Sequence, residues 1–144
     1  MNTSNGKIVV GVDGSPASVR ALRWALGQAE LTGAEVKAVY AWQVPAMYGA
    51  TAMSMPGEQL AEIAESTLDE ILDHVVGDAH VVPVSRVLVQ AHPAKALLEE
   101  SEGADLLVVG SRGHGGFVGA LIGSVSQQVV QHATCPVVVV RAES

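Results

Sequence analysis

Val108 to Ser126 read VVGSRGHGGFVGALIGSVS, an apolar run that ends at Gly110, with a further glycine at Gly113 and Gly123 directly before Ser124. Glycine has no Cβ, so backbone N–H groups there can approach an anion closely, and a helix starting at Ser124 aims further amide dipoles at the same point. A buried-type strand that leads through such a loop into a helix reads as a phosphate cradle in an α/β sheet. The spacing fits neither of two better-known nucleotide loops. A P-loop needs G-x-x-x-x-G-K-[ST], and no lysine follows Lys95; a dinucleotide fingerprint needs G-x-G-x-x-G after the first strand, and this loop lies late in the chain. The competing reading is a glycine-rich surface turn with no ligand.

Working outward, strand and helix patterns alternate along the whole chain. Lys7 to Val12 is a β-branched run ending in Asp13-Gly14-Ser15-Pro16, a turn that opens a helix with proline in its first turn. Apolar residues then recur with helical spacing from Ala17 to Leu31, and Thr32-Gly33 closes the segment. Glu35 to Trp42 reads as strand two, Gln43 to Pro56 as a loop, Glu58 to Val76 as helix two and Val82 to Val89 as strand three. Pro93 to Glu102 is helix three, Asp105 to Val109 strand four, Ser124 to Ala133 helix four and Pro136 to Val140 strand five. Such alternation requires crossovers, hence a parallel sheet with helices on both faces, and it leaves the strand order open. Strands four and five are continuously apolar, as strands covered on both faces are. Ligands in these sheets bind beyond the carboxyl ends of strands, which selects Gly11 to Ser15, Ala41-Trp42 and Gly110 onward.

The 144 residues, 49% hydrophobic and 16% charged, suit one domain with a substantial core, with neither repeat nor linker. A net charge of -7 leaves no broad basic face, so nucleic acid and anionic membrane are not expected partners. The amino-terminal MNTSNGK has no apolar signal core and no apolar run is long enough to span a bilayer, so the expected location is cytoplasmic. Cys135 is the sole cysteine, which agrees with a reducing compartment.

Four segments together resemble the universal stress protein family: Val9 to Ser15, Val108 to Gly113, Gly123 to Ser126 and Cys135-Pro136-Val137. The pattern G-x2-G-x9-G-[ST] is met at Gly110, Gly113, Gly123 and Ser124, and the likeness covers almost the whole chain, 1–144 as one domain. The resemblance implies a Rossmann-like sheet of the adenine nucleotide alpha hydrolase kind, order 3-2-1-4-5, with ATP at the switch between strands one and four. Gly11 and the Ala41 backbone would line the adenine pocket, with Val12 beside them and Asp13 on the ribose and adenine side. Gly110, Ser111, Arg112, Gly113, His114, Gly115, Gly116, Gly123, Ser124, Val125 and Ser126 would hold the phosphates, with or without Mg²⁺. Family members that lack the glycine pattern tend not to bind ATP, and this chain keeps it. A homodimer through strand five, Pro136 to Val140, is also implied. Ala91 departs from the glycine that related sequences often carry before the turn into helix three.

Each of these residues has a plainer role to set beside the functional one. Asp13 can cap helix one; Arg112 and His114, the loop's cationic candidates for phosphate, can face water. His74, His80, His92 and His132 show no metal-type spacing with Cys135, so no zinc site is expected. Cys135 reads as strand filling, and Met47, Tyr48, Met53 and Met55 as an adaptable lid, an interface or a disordered stretch. Trp42 packs beside the nucleotide or anchors its loop.

The preferred function is a nucleotide-dependent stress-response regulator for which binding itself is the activity, read by a protein partner the sequence does not identify. A cyclic AMP or AMP regulator is the related alternative. Phosphoryl transfer wants metal ligands, a positioned nucleophile and a cation, for which the chain offers Asp13, Ser124, Ser126 and Arg112, so a weak ATPase is the enzymatic limit. A histidine-rich turn after strand one, as transferases on related sheets carry, is replaced by DGSPAS. The third class is a nucleotide-free structural dimer that keeps its glycines for packing.

Overall fold

A computed structural model describes residues 6–43, 57–77, 82–111 and 123–141. Its elements are β1 (Lys7–Gly11), α1 (Pro16–Thr32), β2 (Glu35–Trp42), α2 (Gly57–Val75), β3 (Val84–Gln90), α3 (Pro93–Glu100), β4 (Leu106–Gly110), α4 (Ser124–His132) and β5 (Val137–Val140). All strand pairs are parallel and the order is β3-β2-β1-β4-β5, as the resemblance implied. The order reverses between β1 and β4, so the chain leaves their carboxyl ends toward opposite faces of the sheet, the place where a crevice forms in open α/β sheets.

The two-residue period of the strands divides the core. Ile8, Val10, Val36, Ala38 and Val108 pack with Ala21, Leu22 and Ala25 of α1 and Leu68 and Leu72 of α2 on one face. Val9, Val39, Leu107 and Val109 pack with Ala94, Ala96 and Leu97 of α3 and Val129 of α4 on the other. Every residue of β5 is half-buried, since among the described residues this strand pairs with β4 alone.

Local chemistry sets the helix ends. Ser15 caps α1 by accepting from the Ser18 N–H at 3.3 Å, and Pro16 follows with its φ already suited to a helix. Gly33 ends α1 at φ 80°, donating its N–H to the Ala29 carbonyl at 2.8 Å. His92 caps α3, its Nδ1 accepting from the Ala94 N–H at 3.2 Å. That helix stops at Glu100, two residues short of the expected end, where the Ser101 N–H closes on the Leu97 carbonyl and Gly103 turns at φ 80°. At the amino edge of the sheet the Asp105 carboxylate accepts from the Lys7 N–H at 2.8 Å, which ties β4 to β1. β3 begins at Val84 because Pro83 precedes it, and its Arg86 meets Glu65 and Asp69 of α2 at 3.4 and 3.0 Å.

Candidate nucleotide site

The carboxyl ends of β1 and β4 bring together three of the four segments singled out in the sequence. After β1 the Val12 N–H still donates to the Val39 carbonyl of β2 at 2.9 Å, so the chain leaves the sheet at Asp13. There the Asp13 Oδ1 accepts from the Ser15 N–H at 2.9 Å, while the Asp13 N–H donates to Ser18 Oγ at 3.2 Å. Ser18 Oγ in turn donates to the Ser15 carbonyl at 3.1 Å. The cap of α1 is therefore Ser15, and Asp13 braces the turn that leads to it. A carboxylate oxygen carries two lone pairs and so can accept from more than one donor.

The Tyr40 side chain, on β2, feels the negative charge of this carboxylate. Its phenol is held above the ordinary value of 10.0, first by burial and then by the charge of Asp13. Nothing in the spacing of Asp13 and Tyr40 signals this influence, because the parallel pairing of β1 with β2 brings it about.

The two strand-end glycines have packing reasons of their own. A Cβ at Gly11 would stand 2.9 Å from Leu97 Cδ1 of α3, and one at Gly110 would stand 2.7 Å from the carbonyl carbon of Ala17 in the first turn of α1. Gly110 thus lets α1 settle on the end of β4. Ala41 is half-buried among the residues on the α3 side of the sheet.

Past β4, Ser111 is a buried junction. Its N–H donates to the Val140 carbonyl at 2.7 Å and its carbonyl accepts from the Gly123 N–H, which sets the start of α4 beside the end of β4. Ser126 Oγ donates to the Gly110 carbonyl at 2.6 Å and locks the first turn of α4 in place. Ser124 is exposed and Val125 half-buried, and Gly123 at the N-cap makes no side-chain capping bond, so among the described residues no capping side chain covers the positive end of α4.

Arg112, Gly113, His114, Gly115 and Gly116 lie outside the described residues, as do Met47, Tyr48, Met53, Met55 and His80. Among the described residues no three His, Cys, Asp or Glu side chains gather as metal ligands, and no helix is long and apolar enough to cross a membrane.

The chain matches the model of the universal stress protein family over residues 4–141. It is 37% identical over 137 residues to universal stress protein Rv2005c of Mycobacterium tuberculosis, with 93% of this chain and 45% of that protein covered. The chain thus spans about half the length of the curated relatives it matches. A solved universal stress protein in complex with cAMP superposes with a TM-score of 0.70 at 26% identity, covering 98% of this chain and all of that one. The universal stress protein from Archaeoglobus fulgidus in complex with dAMP has the same fold, with a TM-score of 0.68 at 24% identity over 94% of this chain and 97% of its own. The shared segments span both crossovers, β1 to α1 and β4 to α4, that build the crevice, and the chain belongs to the universal stress protein family.

Proposed function

We propose that the chain binds ATP in the crevice between β1 and β4 and acts as a nucleotide-dependent regulator of the stress response, with at most slow hydrolysis. One observation carries the reading: α4 starts at a glycine with no capping side chain, held by Ser111 and Ser126 against the end of β4 and across the switch point from Asp13. Amides at such a helix start favour phosphate, and a fixed carboxylate accepts hydroxyl hydrogens. Gly110 to Gly116 and Ser124 to Ser126 would cradle the phosphates, Arg112 adding a forked cation. Gly11, Val12 and Ala41 would border the adenine, with Asp13 toward the ribose. Mg²⁺, if carried by the nucleotide, would draw on Asp13 and Ser124 oxygens. The expected setting is the cytoplasm, as a homodimer through β5.

Solved relatives that hold cAMP and dAMP support an adenine nucleotide and favour a second reading, a cyclic AMP or AMP regulator. Mass spectrometry of ligand released from the purified protein, with calorimetric titration of the stripped protein by ATP, AMP and cyclic AMP, separates the two. ATP near one per chain without rapid turnover supports the first. Preference for cyclic AMP supports the second, and indifference to all three leaves a nucleotide-free structural dimer. Gly113→Val is expected to abolish ATP affinity while the circular dichroism spectrum stays that of the native fold.

A further inference from the structure

Four large apolar side chains are exposed among the described residues: Trp24 (39%), Leu31 (83%), Val130 (49%) and Ile63 (50%). The first three lie on α1 and α4, the helices that contact β5 from opposite faces of the sheet. On α1 the side involved can be fixed. Arg20 Nε donates to the carbonyl of Arg141, the residue after β5, at 3.0 Å. Trp24 follows Arg20 by four residues and Leu31 follows Trp24 by seven, so all three share the shoulder of α1 that faces β5.

Among the described residues β5 has no strand on its outer edge, and that edge has a defined register. Carbonyls of Pro136 and Val140 accept from Leu107 and Ser111, so the even-numbered residues serve β4. By the period of two, the backbone groups of Val137 and Val139 point outward. Four residues make an edge about 13 Å long. A strand pair that short leaves most of the roughly 800 Å² per partner of a stable interface to flanking side chains. A two-fold pairing places the same shoulder on both sides of the contact, which suits an uncharged tryptophan and leucine.

We propose that Trp24, with Leu31, anchors a second copy of this chain, so that the interface runs from the outer edge of β5 onto the shoulder of α1. The inference rests on the β5-edge dimer proposed above and adds the residue that supplies its affinity. Buried tryptophan is among the residues enriched as anchors at such interfaces, and its truncation removes both area and shape.

Sedimentation equilibrium over a concentration series tests it with wild type, Trp24→Ala, Ile63→Ala and Val139→Pro, the last closing the outward edge without touching the β4 ladder. The expected result is a wild-type dimer that Trp24→Ala weakens about tenfold or more, Val139→Pro disrupts and Ile63→Ala leaves intact. A dimer lost in Val139→Pro but unaffected by Trp24→Ala overturns the anchor alone; one indifferent to Val139→Pro overturns the edge pairing, and a monomeric wild type overturns both. Trp42→Phe leaves Trp24 as the one tryptophan and supplies a readout without altering either surface. Its emission should move to shorter wavelength across the concentrations at which the dimer forms, and an unchanged spectrum there counts against the anchor.

Discussion

A Cβ at Gly110 lands on backbone atoms of Ala17, 2.7 Å from the carbonyl carbon and 2.9 Å from its oxygen, which no rotamer can relieve. Gly110→Ala is therefore expected to cost about 1–3 kcal/mol, read as a lower urea midpoint at unchanged slope. Gly11→Ala meets the tips of Leu97, a side chain that can turn, and should cost less. Tyr40 gives a prediction with a sign. Burial and the Asp13 charge make the folded phenol hold its proton beyond the ordinary pH of 10.0, so the fold binds more protons than the unfolded chain above that pH. The contribution is present in full below pH 10 and is lost as pH rises through the folded value. Tyr40→Phe should flatten the alkaline loss of stability in denaturant titrations. In a Tyr48→Phe background, phenolate absorbance should show Tyr40 ionising late and Asp13→Asn moving it back toward 10.

At the scale of elements, one helix carries two glycines with opposite expectations. Gly27 lies inside α1 with open space where a Cβ would sit, and Gly33 ends it at φ 80°. Gly27→Ala should stabilise by about 0.5–1 kcal/mol and Gly33→Ala destabilise by about 1 kcal/mol, both measurable by thermal unfolding. The same contrast shows what was legible in the sequence. Alternating patterns expose the strands and helices found among the described residues because each buries one face or two, and the carboxyl-end rule points to the loops after β1, β2 and β4. Strand order came from the family resemblance, since periodicity carries no information about which strands are neighbours. The packing of Gly11 against Leu97 and of Gly110 against Ala17 is invisible in the sequence, because nothing local shows that those residues arrive there. The effect of the Asp13 charge on Tyr40, the Ser126 bond to Gly110 and the Ser15 cap in place of Asp13 are likewise products of tertiary structure or of competition within one turn.

For the whole molecule, ligand binding to the folded state alone adds stability by mass action. Nucleotide at a hundred times its dissociation constant should add about 2.7 kcal/mol, seen as a rise in melting temperature that Gly113→Val abolishes. The acidic surface carries no comparable prediction, because its ion pairs, such as Arg86 with Asp69, are half-exposed and each contributes no more than about 1 kcal/mol.

Ser111 joins two of these scales, since one peptide group on each side of its Cα serves a different neighbour: its N–H holds Val140 and its carbonyl holds Gly123. The end of the strand proposed to meet a second copy and the start of the helix proposed to meet phosphate are thus fastened to one buried residue. Coupling between two such equilibria is reciprocal, so a nucleotide that tightens the dimer is tightened by it in the same ratio. ATP titrations run below and above the dimer constant should then differ in midpoint. In that arrangement the abundance of the protein becomes a signal in its own right: a cell that makes more of the chain sharpens its response to nucleotide while the nucleotide pool stays constant.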